Sequence, residues 1–152
     1  MKPKLTVIGA AGRMGRRIVA LASESGQFDI VAATDRENHP DMGKDIGLLA
    51  GVGTLDVLLS DRCPSDADVA IDFSLPEATD KTLRQCVENG LALVLGTTGL
   101  DAAQRAAVEK AAGTIPVVFA TNMSVGMNVL FSLVGKVAAM LGEDYDIEIV
   151  EE

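Results

Sequence analysis

Three glycines stand where an apolar, strand-like run gives way to an apolar, helix-like run. They are Gly9, Gly12 and Gly15, in the stretch VIGAAGRMGRRIV. A glycine inside a strand or a helix costs roughly 0.5–1 kcal/mol relative to alanine, so three of them at one junction need a steric reason. We therefore expect a strand that turns sharply into a helix, with the backbone at the turn kept free of side chains.

The same strand-then-helix pattern continues along the chain. Apolar runs predict strands near residues 5–8, 30–34, 69–73, 92–95, 117–120 and 147–150. Longer segments of helical period lie between most of these runs, which is typical of βαβ units and a parallel sheet. We therefore predict an α/β fold of the Rossmann type, a doubly wound parallel sheet in three α/β/α layers.

The first two helices carry signals at their ends. The first is predicted over residues 13–25 and should stop at Gly26, since glycine commonly takes the left-handed conformation after a helix. The second follows the segment SLPEAT, in which Ser74 and Glu77 have the spacing of a capping box. The first signal marks the end of one helix and the second marks the start of the next.

Two further helices follow in the second half of the chain. Asp101, with Gln104 three residues later, predicts the start of the third helix. The fourth is predicted over residues 125–141, where apolar residues at helical spacing indicate a stripe buried in the core. Residues 36–60 contain four glycines, so we expect a flexible loop there with one short strand near residues 56–59.

Composition excludes several classes of protein. A chain of 152 residues with 48% hydrophobic content predicts one domain over residues 1–152. A net charge of -9 argues against a surface for nucleic acid or anionic membranes. Cys63 and Cys86 lack CxxC spacing and indicate neither a disulfide framework nor a zinc site. We expect no signal peptide and no membrane-spanning segment, because the apolar runs are too short for either. We therefore predict a cytoplasmic protein.

The opening glycines fit the three roles of a dinucleotide-binding turn. Gly9 would make the sharp turn, Gly12 would let the backbone approach a pyrophosphate, and Gly15 would let the helix pack against the sheet. The N–H groups at the start of the helix would then face the phosphates. The spacing is GxxGxxG, with Ala11 at the usual middle glycine, so the motif alone is weak.

Two residues after the second predicted strand strengthen this interpretation. Asp35 lies 20 residues after Gly15, where an acid can hold the adenosine ribose, and Arg36 follows it. A carboxylate favours the 2′-hydroxyl of NAD, whereas a guanidinium can receive the 2′-phosphate of NADP. The pair therefore predicts binding of both NADH and NADPH. The alternative is a ligand-free α/β domain whose second strand ends in a solvated Asp-Arg pair.

Two other polar, glycine-bearing segments, LGTTG and FATNMSVG, follow later strands. Because ligands of parallel sheets bind outside the carboxyl ends of the strands, we expect Gly96, Thr97, Thr98, Asn122 and Ser124 to converge on the same crevice. Their small side chains suit the nicotinamide and its ribose. Taken singly, Ser124 also fits a helix cap, and the LGTTG segment also fits a simple turn.

Five blocks of sequence then point to one family. VIGAAGRMG, IDFSLPEAT, LVLGTTG, FATNMSVGMNV and DIEIVE resemble, in order and spacing, the N-terminal domain of 4-hydroxy-tetrahydrodipicolinate reductase, or dihydrodipicolinate reductase. The resemblance covers essentially the whole chain. It implies reduction of an unsaturated cyclic dicarboxylate, 4-hydroxy-tetrahydrodipicolinate, to tetrahydrodipicolinate with NADH or NADPH, in the diaminopimelate route to lysine.

The resemblance also implies a set of cofactor-binding residues. The cradle would be Gly9, Ala10, Ala11, Gly12, Arg13 and Met14; the ribose contacts Asp35 and Arg36; the nicotinamide side Gly96, Thr97 and Thr98; and the closing segment Ala120, Thr121, Asn122 and Met123. The family often has Glu at the position of Asp35 and an aromatic residue at that of Met123. These departures affect cofactor preference and nicotinamide packing.

The family's catalytic segment has no counterpart in the sequence. In the family, the strand resembling DIEIVE leads into a His-His-x-x-x-Lys segment and a substrate-binding, tetramer-forming domain, whereas this chain ends at Glu152. We therefore expect a cofactor domain that is catalytically silent alone, with His39 a surface residue and a homotetramer only for the full-length enzyme.

Two other functions stay open at this stage. One is a stand-alone NAD(P)-sensing module, for which we expect a closing strand near residues 147–150 and an exposed apolar docking patch. The other is an aspartate or homoserine dehydrogenase, which shares the opening turn but fits the GTTG and NMSVGMN segments less well.

Overall fold

The computed structural model describes residues 1–62, 66–148 and 150, and these form two compact units, Met1–Thr121 and Asn122–Glu152. The first unit contains a six-stranded parallel sheet in the order β3-β2-β1-β4-β5-β6. The strands are β1 (Lys4–Ile8), β2 (Asp29–Thr34), β3 (Leu59–Ser60), β4 (Val69–Asp72), β5 (Ala92–Leu95) and β6 (Val117–Phe119). This order reverses direction between β1 and β4, which is the switch point of a doubly wound sheet, and the predicted fold class is confirmed.

The helices begin and end close to the predicted positions. They are α1 (Arg13–Ser25), α2 (Ile46–Ala50), α3 (Thr79–Asn89), α4 (Ala102–Ala112) and α5 (Val125–Leu141). Gly26 follows α1 in the left-handed conformation, with φ of 61°. Asp101 caps α4 in a complete capping box with Gln104, as predicted.

Two apolar clusters pack the helices onto the sheet. One joins α1 and α2 to β1, β2 and β3 through Leu5, Val7, Val19, Ala33, Ile46 and Leu59. The other joins α3 and α4 to β4 and β5 through Ala70, Leu83, Cys86, Leu93, Leu95, Val108 and Ala111. A parallel sheet that is covered by helices on both faces has two such apolar clusters.

The predicted capping box of the second helix is wrong. A 3-10 helix, Pro76–Ala78, precedes α3, and Leu75 occupies its N-cap position. Ser74 instead donates its N–H to Asp72 Oδ1 at 2.7 Å, which forms a turn directly after β4. Its buried hydroxyl has no hydrogen-bond partner among the described residues. The chain therefore turns before the helix starts, so the Ser74 side chain never reaches the helix N-terminus.

Residues 36–60 form more structure than the expected loop. The short predicted strand is present as β3, shifted to Leu59–Ser60, and a five-residue helix, α2, precedes it. Asp45 caps α2 and also accepts the N–H of Leu55 at 3.2 Å. Burial raises the pKa of Asp45, but the backbone N–H donors of Leu55, Leu48 and Gly47 outweigh it, and the net pKa is lowered.

Helix α5 forms in the second unit with the predicted bounds, and Ser124 caps it by accepting the N–H of Met127 at 3.4 Å. The expectation that its apolar stripe is buried is wrong. The stripe residues are 42–53% exposed: Val129, Leu130, Leu133, Val134, Val137 and Leu141. In the described part of this unit, α5 is accompanied only by a 3-10 helix, Gly142–Asp144, which is too short to cover it.

The same helix corrects another expectation. In the described part of the chain, one segment, Val125–Asp144, is long and apolar enough to span a membrane, with a mean hydropathy of 1.6. The segment meets the length and hydropathy of a membrane span because the average includes only a few scattered polar residues. Core helices of soluble proteins meet the same two criteria, so length and hydropathy alone do not indicate a membrane span. Of the strand predicted at 147–150, residue 149 lies outside the described residues, and Ile147 and Glu148 form no strand.

Candidate functional site

The turn from β1 to α1 approaches the end of β4 at the switch point. Gly9 has φ of 71°, a conformation that favours glycine. A Cβ added there would lie 3.0 Å from the backbone N and Cα of Ser74, which is too close for an unshifted backbone. Gly9 therefore makes the sharp turn that the sequence predicts, and it also lets the β1 and β4 segments come together.

The other two glycines differ in what surrounds them. A Cβ on Gly15 would overlap the Gly9 carbonyl oxygen and lie 2.6 Å from Ala10 Cα. Gly15 therefore lets α1 pack on the turn itself, whereas the sequence predicted packing against the sheet. Gly12 is the exposed N-cap of α1 and provides no capping side chain. Within 4 Å, a Cβ there would meet only the Gly9 carbonyl oxygen, at 3.2 Å. The helix N-terminus is therefore open to a ligand.

Hydrogen bonds fix the backbone of this turn. Ala10 donates its N–H to the carbonyl of Thr34 at 3.0 Å, and Ala11 donates to Asp35 Oδ2 at 3.1 Å. Arg16 Nε donates to the Ala11 carbonyl at 2.7 Å. Ala10 and Ala11 are both buried, so they contribute only backbone to the surface of the turn. The next two predicted cradle residues, Arg13 and Met14, are exposed on the first turn of α1.

Asp35 and Arg36 lie at the end of β2, beside the turn. Asp35 Oδ1 accepts the N–H of Arg36 at 2.9 Å while Oδ2 accepts that of Ala11. The backbone N–H of Asp35 donates to the carbonyl of Ser60 at 3.0 Å, which joins β2 to the end of β3. A carboxylate oxygen can accept more than one hydrogen bond, so this fixed carboxylate can still receive a ribose hydroxyl.

A cavity of about 640 Å³ opens at these strand ends, within the size range of small-molecule sites. Four predicted residues line it: Gly9, Gly12, Asp35 and Arg36. The remaining walls come from the segments after β2, β3 and β4, from the 3-10 helix Pro76–Ala78 and from α3, and they include Glu37, Asp61, Phe73, Leu75, Glu77 and Lys81. The roles of the predicted residues stay predictions, but these four share one cavity.

Phe73 is a lining residue that the sequence reasoning missed. A Cβ on Gly96 would overlap the Phe73 ring, coming within 2.8 Å of its Cε2 atom as well, so the glycine of LGTTG leaves space for this ring. Phe73 directly follows β4, and its position at a strand end was the signal available in the sequence.

The LGTTG segment lies against the end of β4. Gly96 donates its N–H to the Asp72 carbonyl at 2.9 Å, and the buried Thr97 hydroxyl donates to the Ser74 carbonyl at 3.4 Å. Thr98 is exposed. Among the described residues that line the 640 Å³ cavity, this segment is not included. Its predicted nicotinamide contacts remain a prediction.

The predicted closing segment is divided between the two units. In the first, Ala120 donates its N–H to the Leu95 carbonyl at 3.3 Å, and Thr121 is exposed. In the second, Asn122 Oδ1 accepts the N–H of Ser124 at 2.9 Å, and Met123 is partly exposed beside α5. Asn122 therefore helps to start α5 in this structure.

A second polar cluster lies in the segment after Arg36. Asp41 pairs with Lys44 at 2.7 Å and with Arg16 at 3.1 Å. The hydrogen bond from Lys44 lowers the pKa of Asp41 against a smaller opposing effect of burial. His39 is half-buried, and its Nδ1 accepts the N–H of Asp41 at 3.2 Å. The histidine is thus part of a loop contact rather than a solvated surface residue.

Comparisons with known proteins agree with this architecture. A family model described as dihydrodipicolinate reductase, N-terminus, matches residues 3–123. A 4-hydroxy-tetrahydrodipicolinate reductase from Alkalilimnicola ehrlichii is 46% identical over 154 residues, covering 99% of this chain and 58% of that protein. The chain thus spans less than two thirds of this relative's length.

Solved structures show the same fold. The dipicolinate-bound dihydrodipicolinate reductase from Paenisporosarcina sp. TG-14 has a TM-score of 0.70 at 20% identity, covering 91% of this chain and 54% of that one. The WlbA dehydrogenase from Thermus thermophilus, solved with NAD and α-ketoglutarate, has a TM-score of 0.62 at 15% identity, covering 90% and 47%. The family model and the 46% identity to the reductase from Alkalilimnicola ehrlichii confirm the resemblance that the five sequence blocks predict.

Proposed function

Since the chain belongs to the dihydrodipicolinate reductase family, we propose that it binds NADPH and NADH as the dinucleotide-binding part of such an enzyme. The enzyme would reduce 4-hydroxy-tetrahydrodipicolinate to tetrahydrodipicolinate in lysine biosynthesis. The observation that carries the proposal is the side-chain-free turn at Gly12, which opens on the cavity that Asp35 and Arg36 line.

The pyrophosphate would lie on the first turn of α1. Gly12 leaves room there, and the helix N-terminus offers N–H groups and a partial positive charge to an anion. The residues present therefore fit a diphosphate. The hydrogen bonds from Ala10 and Ala11 hold the turn in place before the ligand arrives, which reduces the entropic cost of binding.

The adenosine ribose would lie beside the end of β2. Asp35 would accept a ribose hydroxyl, and the exposed Arg36 would pair with the 2′-phosphate of NADPH. Because Arg36 is free to move away when no phosphate is present, the same site would accept NADH. Binding of both dinucleotides follows from this pair of residues.

The bound dinucleotide would supply the hydride for the reduction. The chain would hold the nicotinamide end near Gly96, Thr97 and Thr98, at the carboxyl ends of the central strands. Reduction of a dicarboxylate also needs cations and a proton donor close to the substrate. The chain's one histidine, His39, is engaged in the contact with Asp41. We therefore propose that residues 1–152 form the cofactor domain and are catalytically silent alone.

The rest of the proposed biology follows from the family. The substrate-binding groups and the tetramer contacts would lie in the part of the relatives that this chain does not match. A cytoplasmic location is proposed from the pathway, and the absence of nucleic-acid and membrane partners from the net charge of -9.

Titration of the 152-residue chain tests the proposal. The chain has no Trp, so a change in NADH or NADPH fluorescence reports directly on the nicotinamide, and calorimetry gives the affinity. Gly12→Val should weaken both dinucleotides by about 10–100-fold, the effect of losing charged hydrogen bonds worth about 1.5–3 kcal/mol. Gly113→Val is the matched control, because a Cβ there meets one carbonyl oxygen at 3.3 Å, far from the turn in sequence.

Two outcomes would overturn the proposal. The first is no heat and no spectral change with either dinucleotide at millimolar concentration. The second is equal weakening by Gly12→Val and Gly113→Val, which would mean that the turn itself holds no phosphate.

One observation supports the alternative function, a stand-alone NAD(P)-sensing module. Its expected apolar patch exists on α5, although Ile147 and Glu148 do not form the closing strand that was also expected. A dinucleotide-dependent change in self-association, measured by sedimentation, would favour that function. Unchanged sedimentation with bound dinucleotide would count against it.

A further inference from the structure

One cation in the cavity is not explained by the proposed roles. Lys81 lies near the start of α3 and is exposed, and it lines the same cavity as Arg36. The two residues approach from different elements, since Arg36 follows β2 whereas Lys81 comes from the helix after β4. The cavity therefore has a positive group on two of its walls.

The hydrogen bond of Lys81 places its ammonium group near the ribose end. Lys81 Nζ donates to the backbone carbonyl of Asp61 at 3.4 Å. Asp61 directly follows Ser60, whose carbonyl accepts the N–H of Asp35. Lys81 thus reaches across from α3 to the end of β3, next to the strand end that carries Asp35 and Arg36.

Neither Lys81 nor Arg36 is neutralised within the part of the chain that the structure describes. The ion pairs found there involve Lys4, Arg16 and Lys44, with Asp66 or Asp41 as partners. The contact that Lys81 makes is long and is to a neutral carbonyl, so exchanging it for a phosphate oxygen costs little. Four carboxylates also line the cavity, those of Asp35, Glu37, Asp61 and Glu77, so an anion would bind where both cations reach it. A dianionic phosphate suits that pair of cations.

We propose that Lys81 is a second phosphate-binding residue, and that it holds the 2′-phosphate of NADPH together with Arg36. This inference rests on the proposed dinucleotide site and adds a specificity-determining residue to it. With NADH, the ammonium stays on the Asp61 carbonyl and contributes little. Lys81 therefore shifts the preference of the site toward NADPH.

The test compares ligands with and without the 2′-phosphate. Adenosine 2′,5′-bisphosphate and 5′-AMP, with NADPH and NADH, are titrated into the wild-type chain, Lys81→Gln and Lys81→Arg. Lys81→Gln should weaken the bisphosphate and NADPH by about 5–10-fold, as expected for a partly exposed charged hydrogen bond. Binding of 5′-AMP and NADH should change by less than about twofold, and Lys81→Arg should keep most of the phosphate affinity.

Lys110→Gln is the matched control, because Lys110 is an exposed lysine in the last turn of α4 and should leave all four affinities unchanged. If Lys81→Gln leaves NADPH binding unchanged while the wild-type chain binds it, the inference is wrong and the proposed function stands. Equal losses of NADH and NADPH would also contradict it, since Lys81 would then act on the shared part of the ligands. If the wild-type chain binds none of the four ligands, both proposals fail.

Discussion

Helices α4 and α5 show opposite relations between sequence and burial. α4 is rich in alanine and carries Gln, Arg, Glu and Lys, yet Val108 and Ala111 are buried against the first unit's core. α5 contains many more large apolar residues, and none of its residues is buried. Burial thus depends on which elements a unit supplies to cover a helix and not on the helix's own apolar content.

The contrast has a topological cause. α4 connects β5 to β6, and a helix between adjacent parallel strands must cross over one face of the sheet. In the second unit, the described residues after α5 form only the 3-10 helix Gly142–Asp144 and no strand. A crossover helix is therefore buried by its connections, whereas α5 has no such constraint within its own unit.

Truncating one leucine in each unit gives the largest expected difference. Leu93 of β5 is 1% exposed, so Leu93→Ala should lower the free energy of unfolding by about 2–5 kcal/mol, from lost burial and the cavity left behind. Leu133 of α5 is 52% exposed, so Leu133→Ala should cost about 0.5 kcal/mol or less. Urea unfolding followed by circular dichroism measures both. Similar losses would show that α5 is covered in solution.

A pair of glycines should give changes of opposite sign. Gly15→Ala should destabilise the first unit by about 1–3 kcal/mol, because its Cβ would overlap the β1–α1 turn. Gly135→Ala should stabilise α5 by roughly 0.5–1 kcal/mol, since a Cβ there meets nothing within 4 Å and alanine is the better helix former. Thermal melts at 222 nm check both variants. Destabilisation by Gly135→Ala would reveal a partner packed on that helix face.

Local signals explain what could be predicted from the sequence. The strands of the sheet and the capping box at Asp101 follow from periodicity and from side chains within three residues, and both are present. α2 was missed because it is five residues long and its cap, Asp45, also depends on Leu55, ten residues away. The prediction that the apolar stripe of α5 is buried was wrong, because periodicity identifies an apolar face but not the element that covers it.

The residues of the candidate site also fall into those that local sequence signals identify and those that they do not. Gly9, Gly12, Asp35 and Arg36 could be assigned to one crevice because spacing along a strand–turn–helix unit fixes their positions. Lys81 could not, since its position depends on a contact with Asp61, which lies about 20 residues away in the chain. The strand-end position of Phe73 was visible in the sequence, but the space that Gly96 leaves for its ring was not. Residues that complete a site from another element need the tertiary structure.

The smallest expected effect concerns the loop that precedes β3. The pKa of Asp45 is lowered from its ordinary value of 3.8, so its ionised form stabilises the folded loop at neutral pH. This contribution is present above pH 3.8 and is lost as the pH falls through the lower pKa of the folded state. Asp45→Asn should therefore speed hydrogen exchange of the Leu55 amide at pH 7, and the difference from wild type should narrow below pH 3.8.

Asp144→Asn, in the second unit, is the control for this change and should leave exchange at Leu55 as it is in the wild-type chain. A difference that stayed constant from pH 7 to pH 3 would mean that the Asn side chain disrupts the α2 cap by its shape and not by its lost charge. Equal exchange in wild type and Asp45→Asn at pH 7 would mean that the carboxylate does not hold the loop at all. In the second case, the ordered segment before β3 would depend on packing, as the helices of the first unit do.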